Sequence, residues 1–132
     1  MELLRVASAF DVGRAINPDQ VNAQMEGGVV QGASTTLMEN LQFRDGVPAN
    51  ANLVDYRIFS SVDAPGEIIP IIVEVPQDDG PWGARGIGEH SMVPTAPAIA
   101  NAVANALGVR ILDLPLTAER VFMSIQEKEG KT

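Results

Sequence analysis

The sequence predicts one α+β domain over residues 1–132, with mixed strands and about three helices. Two β-rich apolar runs, residues 3–12 and 67–75, predict strands, and a well-capped helical pattern lies between them. The composition, with 45% hydrophobic and 20% charged residues, is typical of a globular chain with one core. Pro70 inside the second run indicates an edge strand or a bulge, because proline donates no hydrogen bond.

The first helix is predicted to begin after Asn17 and to end near Asn40. Asn17 is a favourable N-cap, Pro18 suits the first helical position, and Gln20 completes a capping-box pattern. The helix contains three glycines, Gly27, Gly28 and Gly32, each of which costs about 1 kcal/mol relative to alanine. Either another backbone or a ligand approaches closely there, or the helix breaks near Gly27–Gly28.

The remaining elements are shorter. They are a hairpin at residues 41–46, irregular chain at 47–66, a long loop at 76–97, a helix from Thr95 or Ala96 to a C-terminal cap at Gly108, a strand at 109–112, and a last helix capped by Thr117. The last helix is expected to turn Val121, Phe122 and Ile125 inward and to fray from Glu127 onward.

Composition excludes several classes of function. The formal net charge of −8 argues against binding to nucleic acid or to an anionic membrane surface. The sequence has no cysteine and one histidine, which excludes thiolate zinc sites, Cys-ligated iron–sulfur clusters and histidine clusters within it. No apolar run is long enough for a membrane span and no signal peptide is recognisable, so the expected location is the cytoplasm.

The segment from Gly80 to Glu89 is the most unusual in chemical terms. Its glycines, including Gly86 and Gly88, let the backbone approach a ligand and expose N–H groups to it. Glu89 closes the run, and a partly desolvated carboxylate there suits a general base. The alternative is a plain turn leading into a helix. The glycine spacing does not match a dinucleotide-binding fingerprint, and that interpretation is rejected.

A second feature is the run from Glu26 to Gly32. The amide of Gln31 offers donors and acceptors that suit the edge of a heterocycle, and the flanking glycines, Gly32 among them, would let a ligand come close. The alternative is a helix packed through its small residues with a solvated Gln31. Weaker candidates are assigned structural roles: the turn pair Asp11 and Arg14, Asp55 and Tyr56, the solvated pair Asp78 and Asp79, and His90.

Taken together, these segments resemble the molybdopterin-binding subunit of the xanthine dehydrogenase/aldehyde oxidase family, near its C-terminal end. The matching motifs run in order along nearly the whole chain: DVGRAINP at 11–18, EGGVVQG at 26–32, GARGIGE at 83–89, PTAPAIANAV at 94–103, and GVRI with LPLT at 108–117.

This resemblance implies a molybdopterin cofactor with molybdenum, in the plain form or as a dinucleotide such as the cytosine one, bound only with the rest of the subunit. No protein side chain is needed as a metal ligand. Glu89 would be the base that takes a proton from the hydroxyl ligand of molybdenum. Gln31 and Gly32 would lie at the cofactor, and Gly86 and Gly88 would line the metal pocket. The substrate would be an aldehyde or N-heterocycle, hydroxylated with oxygen from water.

Two departures from the family pattern matter. His90 follows Glu89 where proline is frequent, and the family subunit is several times longer than this chain. The partners implied are the remaining part of the subunit, and iron–sulfur and flavin subunits. The first hypothesis is therefore a fragment or split subunit that is inactive alone, with a homo-oligomer as one form of the isolated chain. The alternatives are a non-catalytic assembly module with the family fold and a free-standing binding protein for a small heterocycle.

Overall fold

The computed structural model describes residues 1–130, and the last two residues of the tail predicted to fray lie outside them. The α+β class is confirmed. In chain order the elements are β1 (Arg5–Asp11), α1 (Pro18–Leu37), β2 (Phe43–Arg44), β3 (Val47–Pro48), β4 (Glu67–Val73), 3-10 turns at Pro81–Gly83 and Glu89–Ser91, α2 (Thr95–Leu107) and α3 (Ala118–Lys128). Among these residues, no helix is long and apolar enough to cross a bilayer.

The two long strands form a parallel pair. β1 and β4 run side by side from Arg5 opposite Glu67 to Asp11 opposite Val73. Parallel neighbours need a crossover, and here the connection contains α1. Within residues 1–130, β4 pairs with β1 alone, so the strand that holds Pro70 is an edge strand, as one of the two predicted alternatives required.

The first helix starts as its sequence predicts. The side chain of Asn17 accepts a hydrogen bond from the backbone N–H of Gln20 at 3.1 Å, and Pro18 occupies the first helical position. The helix ends at Leu37, slightly before the predicted Asn40. It runs unbroken through Gly27 and Gly28, so the helix break, one of the two alternatives for the glycines, is wrong, and the close approach of another group remains.

Two apolar clusters hold the fold together. The first lies between α1 and α2 and contains Ala33, Ile99, Val103 and Leu116. The second lies where β1 leads into α1 and contains Val12, Val21 and Met25, with Phe10, Ile72 and Ile87 packed against it. Because Ile87 belongs to the glycine-rich loop before Glu89, the second cluster ties that loop to the body of the domain.

The predicted hairpin is present and reaches slightly further, to Pro48. Its turn uses Asp45 and Gly46, both with positive φ, 50° and 79°. This is the conformation that an Asp-Gly pair favours in a two-residue hairpin loop.

The predicted strand at 109–112 is wrong. Among the described residues, 109–112 pair with no strand and belong to the irregular chain that connects α2 to α3. The apolar pattern alone could not supply the neighbouring strand that a β-strand requires. Ile111 packs partly against the first cluster instead, and Leu112 is exposed.

The last helix has the predicted cap but not the full predicted burial. The side chain of Thr117 accepts a hydrogen bond from the N–H of Arg120 at 3.2 Å. Val121 packs against the first cluster and Ile125 is half-buried. Phe122 is 58% exposed, so its predicted inward position is wrong: it borders an open cavity beside Ile99 and Val103 of α2 instead of packing into the core. The helix extends to Lys128, past the point where fraying was expected.

Candidate functional site

The glycine-rich loop is bonded to the end of β1 by backbone hydrogen bonds. The N–H of Arg85 donates to the carbonyl of Val12 at 2.8 Å, and the N–H of Arg14 donates to the carbonyl of Gly83 at 2.8 Å. Gly13 has a φ of +63°, and a Cβ at that position would lie 2.3 Å from the Gly83 carbonyl oxygen. Only glycine permits both this conformation and this approach, so Gly13 sets the contact between the strand end and the loop.

A carboxylate reinforces the same junction. One oxygen of Asp11 accepts hydrogen bonds from the N–H groups of Gly13 at 2.9 Å and Val75 at 3.1 Å. Its other oxygen lies 3.3 Å from a guanidinium nitrogen of Arg85. The Gly13 hydrogen bond, then that of Val75 and the charge of Arg85, lower the pKa of Asp11 below its usual 3.8, against an opposing effect of partial burial. The charged partner of Asp11 is therefore Arg85, and Arg14 is exposed.

The residues Glu89–Ser91 form a 3-10 turn, the Glu89 turn, which packs directly on α1. Ser91 is fully buried, and its Oγ donates to the carbonyl of Gln24 at 3.3 Å. A Cβ on Gly28 would lie 1.8 Å from that Oγ. The Met92 backbone nitrogen would also lie 3.2 Å from that Cβ, so the close approach of another segment, offered as an explanation for the helix glycines, is present at Gly28.

The contact continues one helical turn further along α1. A Cβ on Gly32 would lie 2.8 Å from the carbonyl oxygen of Met92 and 2.8 Å from the Cβ of Thr95. The hydroxyl of Thr95 in turn donates to the carbonyl of Ser91 at 3.0 Å. The third glycine differs, because no described atom beyond its chain neighbours and the helix's own backbone lies within 4 Å of a Cβ placed on Gly27. Gly28 and Gly32 thus form the face of α1 that receives the Glu89 turn and the start of α2.

His90 connects the Glu89 turn to the strands. Its ring meets the ring of Phe10 edge to face, with centroids 5.0 Å apart and planes inclined by 63°. Its Nδ1 also accepts a long hydrogen bond of 3.5 Å from the N–H of Gly88. The Glu89 turn is therefore held on two sides, by Ser91 against α1 and by His90 against β1.

Glu89 begins this turn and is exposed, whereas partial burial was expected. Apart from the adjacent residues in the chain, no described atom lies within 4 Å of a Cβ built on Gly86 or on Gly88. Packing within the chain therefore does not require glycine at either position. The backbone on the approach to Glu89 therefore has open space beside it at these two positions.

Gln31 lies on α1 immediately before Gly32, and it is exposed, as is Gln24 seven residues earlier on the same helix face. The structure thus packs the stretch of α1 that includes Gly28 and Gly32, on either side of Gln31 in the sequence, against the turn that begins at Glu89 and the residues after it. Within residues 1–130, no group of three or more His, Cys, Asp or Glu side chains could hold a metal ion.

The other polar candidates lie apart from this junction. The amide of Asn52 donates to a carboxylate oxygen of Asp55 at 3.0 Å. The Tyr56 hydroxyl donates to Glu39 at 2.5 Å, and that bond raises the pKa of Tyr56 above 10.0. Asp78 and Asp79 are exposed in a turn, as the sequence indicated.

Ser91, which packs the Glu89 turn on α1, is the residue of the site that the sequence did not predict. A small hydroxyl residue after Glu89 carries no motif of its own. The available signal was the spacing of Gly28 and Gly32, four residues apart on one helix face, which indicates a close neighbour without naming it.

Comparisons with known proteins indicate the family to which this chain is similar. Residues 1–65 match the protein family described as the molybdopterin cofactor-binding domain. The chain is 37% identical to the isoquinoline 1-oxidoreductase subunit beta of Brevundimonas diminuta, over all of its own length. It is 34% identical to the xanthine dehydrogenase molybdenum-binding subunit of Escherichia coli O157:H7, over 89% of its length. In each case it spans only 16% of the relative.

The fold matches as well. The quinoline 2-oxidoreductase of Pseudomonas putida 86 superposes with a TM-score of 0.87 and 35% identity, over 96% of this chain and 16% of that one. The match to the isoquinoline 1-oxidoreductase subunit covers the strand pair, α1 and the glycine-rich loop together, whereas the match to the cofactor-binding family ends at residue 65. The chain belongs to the family of molybdopterin-binding large subunits of xanthine dehydrogenases and aldehyde oxidoreductases, of which it spans a part.

Proposed function

We propose that this chain forms part of a molybdenum-dependent oxidoreductase that hydroxylates an aldehyde or N-heterocycle with oxygen derived from water. Membership of the family supports this class of reaction, as do the names of relatives that act on isoquinoline and quinoline. The observation that carries the proposal is the junction itself: one acidic side chain, Glu89, starts a turn fixed on the part of α1 that carries Gln31.

The residues at this junction suit a molybdopterin cofactor, with the cytosine dinucleotide as one form. Gly86 and Gly88 leave their backbone accessible, and the exposed amide of Gln31 can donate and accept hydrogen bonds. Gly32 brings the next turn of α1 close to the start of α2. When bound, the cofactor supplies the redox chemistry, and no protein side chain of this region is needed to ligate its metal.

Glu89 is proposed as the general base. Its carboxylate is exposed on the loop side of the junction, so it can accept a proton from the oxygen nucleophile that attacks the substrate. The hydrogen bond between Arg85 and Val12 and the buried Ser91 hold the backbone on both sides of it. A base held in this way needs little reorganisation when the proton is transferred.

The proposed active form contains more than this chain. Because the chain spans 16% of its relatives, the remaining part of the molybdopterin subunit is the first partner proposed. Iron–sulfur and flavin subunits would carry the electrons away, and the chain alone is expected to be inactive. Within this proposal the domain extends over residues 1–132 and the complex is cytoplasmic.

The test is Glu89→Gln in the complex formed with the rest of the subunit. This change keeps the shape of the side chain and removes its basicity, so substrate oxidation should fall by at least about 100-fold, within the usual effect of a general base. Assembly and molybdenum content should be unchanged. Glu127→Gln on α3, also an exposed glutamate, is the control and should retain full turnover. Wild-type turnover in the Glu89→Gln complex would refute the assignment.

Metal analysis of the native complex separates this proposal from an assembly module that has kept the fold and lost the chemistry. Stoichiometric molybdenum and pterin in the complex are expected. A complex without molybdenum that still assembles would instead favour the assembly module.

A further inference from the structure

One buried side chain determines how the Glu89 turn rests on α1. Ser91 is fully buried and lies two residues after Glu89 in the same 3-10 turn. Its Oγ occupies the space beside Gly28, where an added Cβ would come within 1.8 Å of the Oγ and 3.0 Å of the Ser91 Cβ. The fit is therefore specific, because the hydroxymethyl group of Ser91 lies against a position that carries only a hydrogen atom, Gly28.

The rest of the loop cannot easily absorb a shift at this contact. Upstream, the N–H of Arg85 is bonded to Val12, and Ile87 packs against the second apolar cluster. Downstream, the hydroxyl of Thr95 bonds to the carbonyl of Ser91, and α2 begins. If Ser91 moved away from α1, the displacement would fall mainly on residues 88–91, which include Glu89.

We propose that Ser91 is a positioning residue, whose side chain against Gly28 sets the place of the Glu89 carboxylate relative to Gln31. This inference rests on the proposed function, since it assumes that Glu89 is the base, and it adds the residue pair that fixes the position of that base. Ser91 itself touches α1 rather than the substrate or cofactor.

The test uses three variants of the full subunit in its native complex. Gly28→Ala brings a methyl group against the Oγ and Cβ of Ser91. The double variant Gly28→Ala/Ser91→Gly removes those two atoms, so that the glycine now lies in the turn and the larger residue on the helix. Gly27→Ala is the matched control, because no described atom lies within 4 Å of its added Cβ. A contact of 3.2 Å to the Met92 amide nitrogen remains in the double variant and requires a shift of a few tenths of an ångström.

We expect Gly28→Ala to lower kcat per bound molybdenum by about 10- to 100-fold, the effect of misplacing a catalytic group by about 1 Å. KM should change little, because substrate binding does not depend on the base. The double variant should recover most of the lost kcat, and Gly27→Ala should keep it. Hydrogen–deuterium exchange of residues 86–92 should rise in Gly28→Ala and return to the wild-type rate in the double variant.

A different pattern would overturn the inference. If Gly28→Ala lowers the melting temperature while kcat per molybdenum stays at the wild-type value, Ser91 has only a structural role. Failure of the double variant to restore kcat and exchange would also contradict it. If the wild-type complex shows no molybdenum-dependent oxidation, the proposed function fails, and the exchange data still decide whether Ser91 determines the conformation of the Glu89 turn.

Discussion

The helices α1 and α3 form an instructive contrast. Both begin with the side-chain cap that the sequence predicts, and both carry an apolar stripe. Eight residues of α1 are buried, whereas none of the described residues of α3 is buried. α1 is buried because it contributes to both apolar clusters and because Gly28 and Gly32 let another segment come within contact distance of its backbone. An apolar stripe therefore indicates which face a helix can bury, and the neighbour decides whether it is buried.

The largest expected loss of stability is at Gly13, where the end of β1 meets the glycine-rich loop. Gly13→Ala should lower the free energy of unfolding by about 2–5 kcal/mol, combining a left-handed residue at about 1–2 kcal/mol with overpacking at about 1–3 kcal/mol. Gly46→Ala is the control: its φ is +79°, but no described atom lies within 4 Å of the added Cβ. It should cost about 1–2 kcal/mol. Urea unfolding measures both, and equal losses would mean that the Gly83 contact contributes nothing.

The glycines of α1 provide the next test. Gly32→Ala should lower the free energy of unfolding by about 1–3 kcal/mol, because its methyl group meets the Met92 carbonyl and Thr95. Gly27→Ala, in the same helix with open space around it, should raise that free energy by about 0.5–1 kcal/mol through helix propensity. The opposite signs are measured by thermal or urea unfolding. If both variants were stabilised, the close packing of α1 would be contradicted.

A smaller effect on stability is expected at Asp11, and it should depend on pH. The folded pKa of Asp11 lies below its usual 3.8, so the stabilisation by its carboxylate is complete above that value and is lost as the pH falls through the folded pKa. The difference in unfolding free energy between the wild type and Asp11→Asn should therefore shrink on acidification. Asp113→Asn, an exposed residue outside this junction, controls for the loss of one charge. A difference that grows on acidification would contradict the hydrogen bonding seen here.

The smallest effect is expected on α3. Phe122→Ser removes a large side chain that is already mostly exposed, so the free energy of unfolding should change by no more than about 0.5 kcal/mol. Leu116→Ala, just before that helix and buried in the first cluster, should cost about 2–5 kcal/mol. Comparable losses from the two changes would show that α3 is more deeply packed in solution than the contrast with α1 implies.

One part of the candidate site could be predicted from the sequence, namely the part that depends on residue type and spacing. The glycines on α1 indicated the close approach of another segment, and that approach is present at Gly28 and Gly32. The partner of those glycines could not be predicted, because Ser91 has no motif and lies far along the chain. The exposure of Glu89 could not be predicted from the sequence either, because it depends on which segments cover the loop.

The sequence by itself determined the features that act over a few residues: the caps at Asn17 and Thr117, the Asp45-Gly46 turn, and the positions of the two long strands. Tertiary structure alone decided that these strands pair in parallel, that 109–112 form no strand among the described residues, and that Ser91 packs on Gly28. The physical reason is range. A cap or a turn is satisfied by its own neighbours, whereas strand pairing and close packing require a second segment that local preferences do not specify.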